Sequence, residues 1–118
     1  PISPELLPPG ADGKEILQKT EEKIGPYELH DFFLYYFTRF GFSAEKILYM
    51  ANVAFNGKYT SDEIKKWLVT FVKRFFTSQW KRDCVPAGPK VGSVDLSPRG
   101  SWRMSCESST KDFLKDIE

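Results

Sequence analysis

The sequence predicts an all-α fold, and three observations predict it. Large apolar residues recur at steps of three and four, the spacing of one face of a 3.6-residue helix. Residues that start and stop helices stand at the ends of those stretches: Pro26, Gly41, Ser43, Asn56-Gly57 and Thr60. The links between them are short, which places neighbouring helices side by side. The expectation is a compact three-helix unit over residues 26–82. An extended arm or connector precedes it over 1–25. A long Pro/Gly-rich loop arm with a short final helix follows over 83–118.

Taken in order, residues 1–13 read as extended loop, because Pro1, Pro4, Pro8 and Pro9 remove backbone donors and bias their predecessors away from helix. Lys14 to Ile24 has room for one or two helical turns, with Thr20 as a cap before Glu21 and Glu22 and Gly25 as the break. That segment is too polar to fold alone and is expected to lie on something else. Pro26 suits the first helical position, where its missing N–H costs little. From Tyr27 to Phe37 the helix is apolar around most of its circumference, so it is surrounded by its own domain or by a partner. Gly41 ends it, with Phe42 and Phe37 spaced for the contact of a Schellman stop. Ser43 caps the next helix, and Phe42 can staple to Ile47. Its inner face is Ile47, Leu48, Ala51, Ala54 and Phe55.

The third helix is predicted from Ser61 to Trp80. Thr60 and Glu63 form a capping box, and Tyr59 and Ile64 a hydrophobic staple. Ile64, Trp67, Leu68, Phe71, Val72, Phe75 and Phe76 share one face. The other face is basic: Lys65, Lys66, Lys73 and Arg74, closed by Lys81-Arg82, with no acid from Ile64 to Arg82. The helix dipole accounts for part of this. Beyond it, Pro86, Gly88, Pro89, Gly92, Pro98 and Gly100 end the periodicity, although Trp102 in so polar an arm is expected to dock. Ser108 to Ile117 suits a last short helix with Phe113, Leu114 and Ile117 inward.

The bulk numbers narrow the function. A length of 118 residues gives one domain or a piece of one. A net charge of +1 argues against a strong global pull on nucleic acid or an anionic membrane, so any basic function is local. The two cysteines, Cys84 and Cys106, show no C-x-x-C spacing and read as free thiols of a reducing compartment. No apolar run approaches the roughly 18 residues of a membrane span, and the Pro-rich N-terminus lacks the apolar core of a signal peptide. Pro1 fits either a removed initiator Met or a piece of a longer chain.

Neither a metal-ligand spacing nor a set of nucleophile, base and orienting group stands out, so no residue is assigned a catalytic or metal-binding role. Gly88-Pro-Lys-Val-Gly-Ser lacks the G-x-x-x-x-G-K-[ST] order of a phosphate loop. His30 reads as a packed or capping residue, and Glu28 and Asp31 as acids favoured at a helix start. The better candidate is the basic end: Lys81 and Arg82, with Lys90, Arg99 and Arg103 in the loop beyond. Such an array suits phosphate or pyrophosphate oxygens, but it equally fits a solvated basic helix end. A helical interaction module without ligand stays open, and nucleic-acid binding is a weaker alternative.

Several stretches carry a family resemblance. They are Pro4-Glu5-Leu6, Gln18-x-Thr20-Glu21-Glu22-x-Ile24-Gly25-Pro26-Tyr27-x-Leu29-His30-Asp31-Phe32, and Arg74-Phe75-Phe76 followed by Lys81-Arg82. The most specific is Gly88-Pro-Lys-Val-Gly-Ser-Val-Asp-Leu-Ser-Pro-Arg-Gly-Ser-Trp-Arg-Met104. The chain resembles the C-terminal part of glutamine-dependent NAD synthetases over almost its whole length. The resemblance implies the end of an ATP-pyrophosphatase domain, itself α/β, of which this chain is the helical part. It implies an ATP- and Mg-dependent reaction in which deamido-NAD is adenylated and ammonia, from glutamine, displaces AMP. It implies that Lys81, in the family's aromatic-Lys-Arg step, contacts deamido-NAD, with Arg82 and the cations of the arm as supporting residues. The family's S-G-G-x-D-S loop and its glutaminase have no counterpart here, so this chain alone is expected to be inactive. The rest of a longer synthetase chain, and a homo-oligomer of it, would be its partners. The sequence departs from the family after Met104, where Ser105-Cys106-Glu107 stands in place of Pro-Ser-Asp.

Overall fold

The computed structural model describes residues 20–86, 88–90 and 92–117. Its helices are α1 (Thr20–Ile24), α2 (Tyr27–Phe40), α3 (Ala44–Ala54), α4 (Ser61–Thr77), α5 (Gln79–Asp83) and α6 (Lys111–Leu114), with no strand among the described residues. The all-α expectation holds. Pro1, Pro4, Pro8, Pro9 and the rest of the expected N-terminal arm up to residue 19 lie outside the described residues.

The core forms where the apolar faces of the three long helices meet. Leu29, Phe33 and Phe37 come from α2, Ala44, Ile47 and Ala51 from α3, and Ile64, Leu68, Phe71, Val72 and Phe75 from α4. Leu114 and Ile117 close it from the C-terminal end. Ring follows ring through its centre: Phe37 meets Phe75 edge-on at 4.9 Å and Phe71 at 6.0 Å. Such contacts add to area burial and fix side-chain orientation.

The caps are where the sequence is most informative. Thr60 and Glu63 make both halves of the capping box. Ser43 Oγ accepts from the Lys46 N–H at 3.3 Å. At Gly41, φ is 64°, which only glycine adopts without cost, and its N–H bonds Phe37 O at 3.1 Å. The Phe42 N–H bonds Tyr36 O at 3.4 Å, so the stop keeps two bonds, each to an acceptor one residue earlier than in the expected Schellman motif. Accordingly the ring of Phe42 stacks on Tyr36, at 5.9 Å and 11°, and not on Phe37. Pro26 sits one position earlier than expected, as the N-cap of α2 with an extended ψ of 133°. The N–H of Tyr27 then finds the Glu21 carboxylate at 3.1 Å. Thr20, expected as a cap, is the first residue of α1. Helix α3 ends at Ala54, which is exposed, and Phe55 packs edge-on against Phe32 at 5.4 Å.

The largest departure is at the end of α4. The single helix expected to reach Trp80 stops at Thr77, and a separate short helix carries Trp80 and Lys81. The Thr77 hydroxyl donates back to Lys73 O at 2.9 Å and to Arg74 O at 3.3 Å, contacts that loosen a helix ladder. The carbonyl of Phe75, which a continued helix would offer to residue 79, accepts from the Arg82 guanidinium at 2.6 Å.

The arm after α5 is irregular but anchored. Asp95 accepts from the N–H groups of Ser97 and Ser101 at 3.0 and 3.2 Å. Trp102 docks as expected, between Phe37 at 5.0 Å and Phe75 at 5.3 Å. The last helix is shorter than the pattern suggested, yet Leu114 and Ile117 are buried and Phe113 lies edge-on to Phe37 at 5.2 Å. Among the described residues no helix is long and apolar enough to cross a membrane.

Candidate functional site

The periodicity of α5 decides what its residues can do. On a short helix, positions 79, 82 and 83 share one side and positions 80 and 81 the other. Gln79 is fully buried and Arg82 and Asp83 are partly so, whereas Trp80 and Lys81 are exposed. The outward pair is an indole with an ammonium beside it, Lys81 Nζ standing 5.6 Å from the Trp80 ring. An exposed ring and a mobile point charge can together take a flat heterocycle and an anionic group.

The inward side is a hydrogen-bonded knot around Gln79. Its Oε1 accepts from Arg82 Nε at 2.9 Å and Nη2 at 2.7 Å. Its Nε2 donates to Met104 O at 3.1 Å and to Asp83 Oδ1 at 3.4 Å. All donors lie on one end of the amide and all acceptors on the other, so one amide orientation alone satisfies the site. Arg82 Cζ also stands over the Phe75 ring, 4.0 Å from its centroid. Burial lowers the Arg82 pKa from the ordinary arginine value, and the neighbouring Asp83 charge acts in the opposite direction.

This arrangement separates the cations grouped by sequence. Lys81 is exposed. Arg82 faces inward, where its Nε and Nη2 bond Gln79 and the Phe75 carbonyl. Arg99 reaches back to the end of α5, where Nη1 donates to Val85 O at 2.7 Å and Nη2 to Asp83 O at 3.5 Å. Lys90 and Arg103 are exposed on the arm, and among the described residues no hydrogen bond or ion pair ties them to α5. The structure thus bonds Arg99 to the end of the helix that carries Lys81 and Arg82, and shows no such bond for Lys90 or Arg103 among the described residues.

The other titratable candidates are structural. His30 Nε2 bonds Ile24 O; a carbonyl only accepts, so Nε2 carries the proton, and the ring packs against Phe33 and Phe71 at 6.1 and 5.9 Å. Glu28 accepts from Lys58 Nζ at 2.7 Å and from the Tyr59 hydroxyl. Among the described residues no group of three or more His, Cys, Asp or Glu could hold a metal ion.

Two features escaped the sequence. One is Gln79, whose polar side chain hid a position four residues after Phe75 and seven after Val72, in phase with the buried face of α4. The other is a groove of about 720 Å³ between the outer face of α2 and the arm, lined in part by Leu34, Tyr35, Arg39, Val94 and Leu96. Arg39 Nη1 donates to Ser93 Oγ across it. The available signal was the greasy circumference of the first helix, which leaves Tyr35 54% exposed.

Comparison with known proteins gives this geometry a setting. The chain is 42% identical to the glutamine-dependent NAD(+) synthetase of Mycobacterium leprae (strain TN), over 135 residues that take in 99% of this chain and 20% of that protein. It is 39% identical to the glutamine-dependent NAD(+) synthetases of Mycobacterium bovis (strain ATCC BAA-935 / AF2122/97) and Mycobacterium tuberculosis (strain ATCC 25618 / H37Rv), in each case with 99% of this chain and 19% of the relative covered. The chain therefore spans about a fifth of the length of the curated relatives it matches, and it corresponds to a region of that enzyme. No family model matches the chain, and no solved structure does.

Proposed function

From this correspondence to a region of glutamine-dependent NAD(+) synthetase, we propose that the chain is the C-terminal portion of the synthetase domain and contributes to binding deamido-NAD. In that role Lys81 places a compact cation against the anionic dinucleotide, and Trp80 offers a ring face beside it. The observation that carries this reading is the match along almost the entire chain to enzymes of one name. The exposed Trp80–Lys81 pair on α5 fits it.

The reaction assigned to the parent is the ATP- and Mg-dependent conversion of deamido-NAD to NAD, with nitrogen from glutamine or ammonia. The ATP loop and the glutaminase would come from the rest of a longer cytoplasmic chain, which assembles as a homo-oligomer. This chain's own residues bind and orient; none of them is assigned a bond-making step.

The test is Lys81→Ala in the intact synthetase. Loss of one charge-assisted contact of about 1.5–3 kcal/mol is expected to raise KM for deamido-NAD by about 10- to 100-fold, with KM for ATP nearly unchanged. Equal effects on both substrates, or none, would refute the assignment. The isolated chain is expected to turn over no deamido-NAD when supplied with ATP and ammonia, and turnover by it alone would overturn the reading.

A further inference from the structure

The buried face of α5 has an organisation that a simple helix end does not need. Gln79 is a fully buried polar residue, and it is tied to three separate parts of the chain. Through Arg82 it is linked to the Phe75 carbonyl near the end of α4. Through Met104 O it holds the far end of the arm, and through Asp83 it holds the end of its own helix. Arg99, also from the arm, bonds the carbonyls of Asp83 and Val85 where α5 ends. The arm therefore leaves α5 and returns to it at two points. Lys81 lies between residues 79 and 82, on the opposite side of the same helical turn.

We infer that Gln79, Arg82 and Arg99 are positioning residues that fix α5, and with it Lys81, for use of the dinucleotide. The inference rests on the reading of Lys81 as a deamido-NAD contact. A lysine on a flexible stem gains little from its own rigidity, so the placement of its Cα matters. Helix α5 has only five residues and cannot hold itself against α4 by ladder bonds alone. Its attitude is set by the knot beneath it, where both ends of the Gln79 amide have partners and one amide orientation alone satisfies them. Arg82, by this account, acts on the ligand only through Lys81.

The experiment compares Lys81→Ala, Gln79→Leu, Arg99→Ala and the double variant Lys81→Ala/Gln79→Leu in the intact synthetase. KM for deamido-NAD, KM for ATP and kcat are read for each. Gln79→Leu is expected to raise KM for deamido-NAD about tenfold, with KM for ATP within about twofold. Arg99→Ala, at an exposed residue that leaves the core intact, is expected to raise it about three- to tenfold and carries the decision alone if Gln79→Leu does not fold. The double variant should be no worse than Lys81→Ala, within about twofold, because both changes remove one contribution. If Lys81→Ala weakens deamido-NAD use while Gln79→Leu and Arg99→Ala are silent, the positioning role is overturned and the Lys81 assignment stands. Losses that multiply in the double variant overturn it equally, as does a matching rise in KM for ATP. A silent Lys81→Ala overturns both readings.

Discussion

Gly25→Ala tests the packing of the connector on the helical core. Gly25 has φ of 93°, and a Cβ built on it would lie 2.4 Å from Trp67 Cδ2 and 2.8 Å from Cε2 and Cε3. Relaxed carbon contacts are about 3.5–4.0 Å, so the indole would have to retreat by roughly 1 Å or more. Overpacking of that kind costs about 1–3 kcal/mol. The positive φ adds about 1–2 kcal/mol for an L side chain, while the lower entropy of the unfolded alanine chain returns about 0.4–1 kcal/mol. The expected net loss is about 2–4 kcal/mol. Gly41→Ala is the control: its φ is 64° and nothing lies within 4 Å of the added carbon. It keeps the backbone cost without the clash, so about 1 kcal/mol is expected. Urea unfolding of the 118-residue chain, followed by far-UV circular dichroism, measures both. In a Trp67→Ala background the Gly25→Ala loss should fall to that of Gly41→Ala. Equal losses at the two glycines in the parent background, or no relief when the indole is removed, would refute the reasoning.

Other expectations follow from caps, titration and the arm. Thr60→Ala should cost about 1–2 kcal/mol in urea unfolding and more than Ser43→Ala, because only the former breaks a two-sided box. Glu28 is held below the ordinary carboxylate value, chiefly by the Lys58 hydrogen bond and then by Tyr59, and Glu63 by the Thr60 N–H and hydroxyl. Depressed carboxylate values give stability that is complete above the unfolded carboxylate range and lost as pH falls through the folded values, which acid unfolding will show. Tyr59 is pushed up to about 12, first by its hydrogen bond to Glu28. That contribution is complete below the unfolded tyrosine value of about 10 and lost as pH rises through 12; Glu28→Gln should return Tyr59 toward 10 in a tyrosinate absorbance titration. The buried Trp102 Nε1 has no hydrogen-bond partner among the described residues. Trp102→Phe should therefore cost less than about 1.5 kcal/mol, against about 3–5 kcal/mol for Trp102→Ala, in the same urea assay.

Much of the fold was legible because its signals are local. A cap needs only a side chain and the backbone three residues away, so Ser43, Thr60-Glu63 and Gly41 announce their helix ends without reference to the rest of the chain. Inner faces follow from periodicity, and Ile64, Leu68, Phe71, Val72 and Phe75 are buried as their spacing requires. The break after Thr77 was not legible. Apolar spacing runs through it, and the Phe75 carbonyl freed there is bonded by a guanidinium from seven residues beyond. Phe42 illustrates the same limit on a smaller scale. Its contact with the preceding helix was expected, but the choice of Tyr36 over Phe37 depends on where the core draws Phe37.

The site divides along the same line. Charge is written in composition, so Lys81, Arg82, Lys90, Arg99 and Arg103 could be gathered from sequence as one basic group. What each cation faces is a matter of helix phase and chain return, and these separate the group. Residues 79 and 82 turn inward because they fall four and seven residues after Phe75, in phase with the buried face of α4; Arg99 comes back to α5 from an arm pinned at Met104 and Trp102. The basic cluster in sequence thus divides: Lys81 faces outward on α5, Arg82 and Arg99 bond the chain around it, and Lys90 and Arg103 are exposed on the arm. Arginine suits the supporting role: its planar fork serves Gln79 and Phe75 O together while its Cζ stands over a ring, a combination that lysine cannot supply. On the proposed reading the adjacent Lys-Arg pair divides reach from support, so exchanging the two residues should raise KM for deamido-NAD in the intact synthetase.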